Sequence, residues 1–257
     1  MVVDRLGHWA PVQFVKKRYA RLSSHFAPRF LPEGCLGLHL KIGLPVMLVA
    51  TLTFLAIASQ IGGQDWLNTF DHAFSVSLHA HSSRSGFVVF SRVSQLGSPA
   101  ILGIVLIAAA ISLRLFREWA LLAGLITAVL GGLVSDFSLK HVFQRVGPRL
   151  HNPWIAEAGW SFPSGHAIAS VVVYGFVAYM LLLVLKRQSQ RVIVITGFVT
   201  MVIAIGFSRI YIGAHYFSDI LAGYVVGVAW LTACMSGCEM ARNGRSIFRH
   251  HAIHLRQ

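Results

Sequence analysis

Acidic residues are scarce in this 257-residue chain, nine Asp and Glu against 22 Lys and Arg, and charged side chains of both signs make up only 12% of it. Soluble domains carry about twice that share, which argues against an ordinary water-soluble fold. Cysteine is nearly missing too: Cys35, Cys234 and Cys238 supply neither a disulfide framework nor a C-x-x-C metal pattern. Cys234 and Cys238 lie one helical turn apart in an apolar run, where cysteine serves as a small hydrophobe. No Ser/Gly-rich spacer, low-complexity tract or internal repeat divides the chain, so it reads as one helical unit.

What fills the chain instead is apolar: 55% hydrophobic residues and a mean hydropathy of +0.65. The expected fold class is all-α, a polytopic membrane bundle of six transmembrane helices. The spans fall at about 42–60, 99–113, 119–140, 164–185, 192–207 and 219–238, several with apolar cores shorter than a bilayer requires, so polar ends must extend each helix. Residues 61–98 are mixed, with Trp66, Phe70 and Phe74 among polar groups, and read as an interfacial helix plus loop. The first apolar run reads as a retained anchor despite a cleavage-like Ala56-x-Ala58. The expected division is a basic segment over 1–36, a six-helix membrane domain over 37–240 and a basic tail over 241–257. His250, His251 and His254 in that tail read as solvated rather than metal-binding.

The formal charge of +13 raises nucleic acid as a partner, but its distribution argues for topology instead. Fifteen of the 22 Lys and Arg fall in four polar stretches that alternate with the apolar runs, as in cytoplasmic loops. The intervening loops carry six. Both termini are therefore expected in the cytoplasm of a multi-pass protein of the bacterial inner membrane. Residues 140–163, 164–166 and 208–219 then share the outer face.

Three segments there carry chemistry. Lys140 closes the third span four residues after Asp136, so the two can pair on one helix face; taken alone, Lys140 is a snorkelling helix end. Ser164 and Gly165 open the fourth span as N-cap and first turn, an end that attracts anions through free N–H groups and the helix dipole. His166 stands in the same turn. In the third segment Arg209 offers a charged fork suited to phosphate, and His215 and Asp219 are one turn apart, so the carboxylate can hold the imidazole in one tautomer. Taken alone, that is a structural pair. Together the cations, helix N-terminus, two histidines and carboxylate make the set that phosphoryl transfer needs.

In order and spacing these motifs resemble the type 2 phosphatidic acid phosphatase superfamily, which also contains vanadium haloperoxidases and whose signature is K-x6-R-P, P-S-G-H and S-R-x5-H-x3-D. The second motif is Pro163, Ser164, Gly165 and His166; the third is Ser208, Arg209, His215 and Asp219. The first departs from the pattern, because Lys140 leads to Gly147 and Pro148 where arginine and proline are expected. Arg149 is the favoured substitute cation and Arg145 the other. An arginine introduced at 147 is expected to raise activity if the departure is a handicap.

The resemblance implies hydrolysis of a lipid phosphate or diphosphate without metal or cofactor. In it His215 attacks phosphorus, Asp219 orients His215, and His166 protonates the departing oxygen. Lys140, Arg209 and the backbone at Ser164 and Gly165 hold the phosphate oxygens. Undecaprenyl diphosphate, phosphatidylglycerol phosphate, phosphatidate and lipid A phosphate all fit as substrates, and membrane lipids rather than nucleic acid are the expected partners. A lipid phosphotransferase using the same intermediate, and a non-catalytic lipid-phosphate binding or transport protein, are the alternatives.

Overall fold

The computed structural model describes residues 34–61, 65–148 and 159–254, with side chains described over 42–61, 65–148 and 159–242. The chain divides into two units, Met1–His39 and Leu40–Gln257. Of the first, only the backbone of residues 34–39 is described, so nearly all of the basic segment expected at 1–36 lies outside the described residues.

The described residues are helical apart from short connections: α1 Gly34–Ala58, α2 Trp66–Ala80, α3 Arg84–Gln95, α4 Pro99–Leu115, α5 Trp119–Phe143, α6 Gly165–Val184, α7 Gln188–Tyr211 and α8 Phe217–His254. Five stretches are long and apolar enough to cross a bilayer, and Ile42–Ala58 is a shorter apolar helix. These match the six expected runs, and polar ends do lengthen them: α7 begins at Gln188 and ends at Tyr211 around the apolar core 192–207. Residues 61–98 differ from expectation. They hold two helices, and α3 with α4 forms one 32-residue apolar stretch, Arg84–Leu115. Local caps explain the join. Ser83 accepts from the Gly86 N–H at 3.0 Å to start α3, and Ser98, followed by Pro99 at the first turn, accepts from Ile101 to start α4.

Burial is uneven. Over its most apolar 18 residues, α6 is 56% buried within the protein, against 17% for the α3–α4 stretch. So α6 is the core helix, and its Ile168, Val172 and Phe176 share one buried cluster with Leu125 and Ala128 of α5. Large apolar side chains on the other helices, among them Leu52, Ile104, Leu133, Phe137 and Ile193, face outward. A bilayer accepts such a surface; water does not. Cys234 and Cys238 are buried in the core cluster, as small hydrophobes.

Packing between α6 and α8 rests on small residues. A Cβ at Gly223 would stand 2.7 Å from the Ala167 Cβ and 2.8 Å from the Ser164 carbonyl oxygen, and one at Gly227 would stand 2.8 Å from the Val171 Cβ. This G-x-x-x-G spacing lets two helices approach backbone to backbone. At one end of the contact the Ser164 N–H donates to the Asp219 carbonyl oxygen at 3.0 Å. At the other the Tyr179 hydroxyl donates to Glu239, which also pairs with Arg242 at 3.3 Å. Trp230 Nε1 donates to the Ala128 carbonyl at 2.9 Å and ties α8 to α5.

Gly223→Val forces α8 off α6. The expected outcome is a loss of about 1–3 kcal/mol of stability, read as a lower thermal unfolding midpoint of the detergent-solubilised protein, whereas Gly103→Ala, where no packed neighbour lies within 4 Å of an added Cβ, does not lower the midpoint.

Candidate active site

Two loops and four helix ends build the site. Helix α5 ends at Gln144 in a left-handed conformation (φ 46°). The chain then runs along the loop before α6: the Ser161 N–H donates to the Arg145 carbonyl at 2.7 Å, and Val146 bridges Trp160. Phe162, fully buried, anchors this loop against Phe54 and Phe143. The second loop follows α7, where Gly213 (φ 80°) adopts a conformation that L side chains rarely take. Its turn folds the N–H groups of Ala214 and His215 onto the Arg209 carbonyl at 3.0 and 3.3 Å. His215 is thereby returned to the end of α7, one turn before Asp219.

Lys140, His166, Arg209, His215 and Asp219 converge at this end of the bundle. His215 interacts electrostatically with Asp219, Arg209 and Lys140, and His166 with His215 and Lys140. Lys140 Nζ lies 3.1 Å from Asp136, the pair expected from their spacing. His215 Nδ1 lies 3.6 Å from Asp219 Oδ2, the orienting arrangement expected of them but longer than a direct hydrogen bond. Arg209 donates from Nη1 to the Ser94 hydroxyl at 3.1 Å, which fixes its fork against α3. The His166 ring lies beside the turn between α3 and α4, where a Cβ on Gly97 would be 3.1 Å from it.

The start of α6 differs from expectation in two respects. The Ser164 N–H is already bound to the Asp219 carbonyl and cannot hold a phosphate oxygen. Its hydroxyl makes no cap hydrogen bond and is buried with no hydrogen-bond partner among the described residues. At Gly165 a Cβ would stand 2.9 Å from Asp136 Oδ1, so the space left by the missing side chain is occupied by a carboxylate. A negative group is favourable there, beside the N-terminal dipole.

Arg145 is the largest correction. Expected as a substitute phosphate cation, it is buried, and both terminal nitrogens face carboxylates: Nη1 donates to Asp219 Oδ1 at 2.7 Å, and Nη2 to Asp71 Oδ2 at 2.8 Å. Ser218 and Asn68 accept from the same nitrogens at 2.7 and 3.0 Å. Burial alone would lower the Arg145 pKa, but Asp219 and Asp71 outweigh it and hold the guanidinium above its ordinary value. Arg149, the favoured substitute, lies outside the described residues. Gly147 has little room: a Cβ would sit 3.2 Å from the Ala214 carbonyl oxygen and 3.3 Å from the Ser161 Cβ.

Asp71 and its neighbours were not foreseen as site residues. On α2, Leu67, Asp71 and Ser75 form a buried stripe at four-residue spacing, with Trp66, Phe70 and Val76 exposed. A carboxylate in the apolar stripe of an amphipathic helix was the available signal, since buried charges are paired. Tyr216, which follows His215, donates its N–H to Asp219 Oδ2 at 2.9 Å, and its ring lies under the Arg145 guanidinium at 4.4 Å.

Residues 117–242 match the PAP2 superfamily. The chain is 36% identical over 93 residues to phosphatidylglycerophosphatase B of Bacillus subtilis, covering 35% of this chain and 44% of that protein. It is 31% identical over 134 residues to an uncharacterised 22.5 kDa protein of the cps region of Klebsiella pneumoniae, covering 52% and 58%. The chain thus spans about half the length of these curated relatives. The crystal structure of a transmembrane PAP2-type phosphatidylglycerolphosphate phosphatase from Bacillus subtilis superposes with a TM-score of 0.66 at 25% identity, covering 76% of this chain and 96% of that one. Aquifex aeolicus LpxE shares the fold with a TM-score of 0.50 at 22% identity, covering 63% and 93%.

Burial pushes His215 below its ordinary imidazole pKa; Asp219 pulls it back up, and Arg209 and Lys140 press it further down. A nucleophilic imidazole must be neutral, so a lowered pKa keeps it competent to lower pH. The acid limb of kcat/KM for phosphate release should fall below pH 6.5, the ordinary value; a limb at or above it removes His215 as the titrating nucleophile. Gly147→Arg, expected from the motif to help, should instead lower kcat/KM, because its Cβ presses on the carbonyl preceding His215. An increase in the same assay would show that a cation was wanting there.

Proposed function

With a PAP2 superfamily domain across residues 117–242 as the premise, we propose that this protein is a lipid phosphate phosphatase acting at the outer face of the membrane through a phosphohistidine at His215. The observation that carries the reading is the convergence of Lys140, His166, Arg209, His215 and Asp219, drawn from four helices and a loop, at one end of a membrane bundle. The excess of Lys and Arg in the opposite loops and termini supports the outward side. A site at the bundle end lets a lipid keep its tail in the bilayer while its headgroup reaches the cations.

In the proposed reaction Asp219 faces Nδ1 of His215, which leaves Nε2 as the attacking nitrogen. The N–P bond forms as the bond from phosphorus to the lipid oxygen breaks, and His166 gives that oxygen its proton. Lys140, Arg209 and the N–H groups of the first turn of α6 stabilise the charge on the three phosphoryl oxygens. His166, now neutral, takes a proton from water as the water oxygen attacks phosphorus. The N–P bond breaks, inorganic phosphate leaves, and both histidines return to their starting states. The resemblance to a phosphatidylglycerophosphatase favours phosphatidylglycerol phosphate as substrate, ahead of phosphatidate, undecaprenyl diphosphate and lipid A phosphate.

Purified protein should release inorganic phosphate from at least one of these four lipids, and vanadate, which mimics five-coordinate phosphorus, should inhibit. His215→Ala and His166→Ala should each reduce the rate by at least about a hundredfold without changing membrane insertion. Near-normal turnover in either variant would overturn the assigned chemistry, and phosphate recovered on a second lipid rather than in solution would make the protein a phosphotransferase.

A further inference from the structure

We propose that Asp71, on helix α2 and outside the matched PAP2 domain, is a positioning residue for the nucleophile, acting through Arg145 and Asp219 on His215. The inference rests on the reading of His215 as nucleophile.

Asp71 is fully buried. Its Oδ2 accepts from Arg145 Nη2 and from the Ser218 hydroxyl, and its Oδ1 accepts from the Ser218 N–H at 3.0 Å. Arg145 reaches with its other nitrogen to Asp219 Oδ1 at 2.7 Å. One guanidinium is thus shared between two carboxylates, where burial leaves them little screening. Were Asp219 the sole carboxylate on Arg145, its charge would be neutralised and little would remain for the imidazole on its other oxygen. Asp71 takes half of that guanidinium, so the group of three keeps a net negative charge facing His215. This charge holds Nδ1–H toward Asp219 and offsets the positive charge that develops on the ring as the N–P bond forms.

The same geometry predicts opposite electrostatic effects from its two ends. The charged and titratable groups facing His215 include, among the described residues, Lys140 from α5, His166 from α6, Arg209 from α7 and Asp219 from α8. Behind Asp219 stand Arg145 and Asp71, with His72 against the Tyr216 hydroxyl. Removing the Asp71 charge leaves Arg145 more positive and lowers the His215 pKa. Removing the Arg145 charge frees both carboxylates and raises it. A purely structural ion pair predicts neither movement.

The experiment compares full-length wild type, Asp71→Asn, Asp71→Glu and Arg145→Gln in detergent micelles. Phosphate release is measured across pH from phosphatidylglycerol phosphate, phosphatidate, undecaprenyl diphosphate and lipid A phosphate, with the folded fraction taken from thermal unfolding. For Asp71→Asn the expected result is a fall in kcat of about tenfold or more, KM within about twofold of wild type, and an acid limb displaced to lower pH. Asp71→Glu recovers part of the rate and the wild-type limb; Arg145→Gln displaces the limb to higher pH. Activity that falls only with the folded fraction, with the limb unmoved, overturns the proposal. The His215 ring is titrated in parallel by NMR of 13C-histidine-labelled protein, assigned by its loss in His215→Ala. That titration decides the coupling on Asp71→Asn alone if Arg145→Gln does not fold. If wild type releases phosphate from none of the four lipids, the assigned activity fails, and a His215 titration unmoved by Asp71→Asn then overturns the coupling as well, while a displaced one upholds it.

Discussion

A guanidinium buried between two carboxylates holds the site end of this bundle together. Charges inside a protein are tolerated only when paired and hydrogen-bonded, and stripping one partner from such a group costs about 3–5 kcal/mol. Arg145 meets that condition with Asp71, Asp219, Ser218 and Asn68, which join α2, the loop after α5 and the first turn of α8. The position of His215 follows from theirs, because Asp219 faces both the guanidinium and the imidazole.

Much of the architecture was legible because bilayers impose a coarse rule. Apolar runs of a set length separated by polar loops give the spans, and the six runs were found where the composition placed them. The pair Asp136 with Lys140 was legible for a similar reason, since four-residue spacing on a helix is a local matter; His215, expected on one helical face with Asp219, lies in the loop before α8 and meets it through the turn at Gly213. The approach of α6 to α8 through Gly223 and Gly227 was not read from the sequence, and the structure shows what lies opposite them.

Long-range pairing escaped. Asp71 and Arg145 are 74 positions apart, and nothing in the periodicity near either residue points to the other. Arg145 was held as the second candidate cation, after Arg149, because a basic residue beside a phosphate motif has that as its simplest use; the buried carboxylate that claims it comes from a segment read only as interfacial. Helix α3 was missed in the same way. Its sequence, RSGFVVFSRVSQ, is too polar to read as part of a span, yet it continues into α4 across a three-residue turn and supplies Ser94 to Arg209.

Helices α6 and α8 are fastened twice, by Ser164 to Asp219 at one end and by Tyr179 to Glu239 at the other, with glycine contacts between. Two rods pinned at both tips can neither slide nor roll past each other without breaking a pin. Their register is therefore the fixed frame against which any motion during turnover takes place. The α3–α4 stretch, only 17% buried against 56% for α6, is instead the side of the described bundle most open to hydrocarbon, so under the proposed function a bulky lipid would approach along it rather than between α6 and α8.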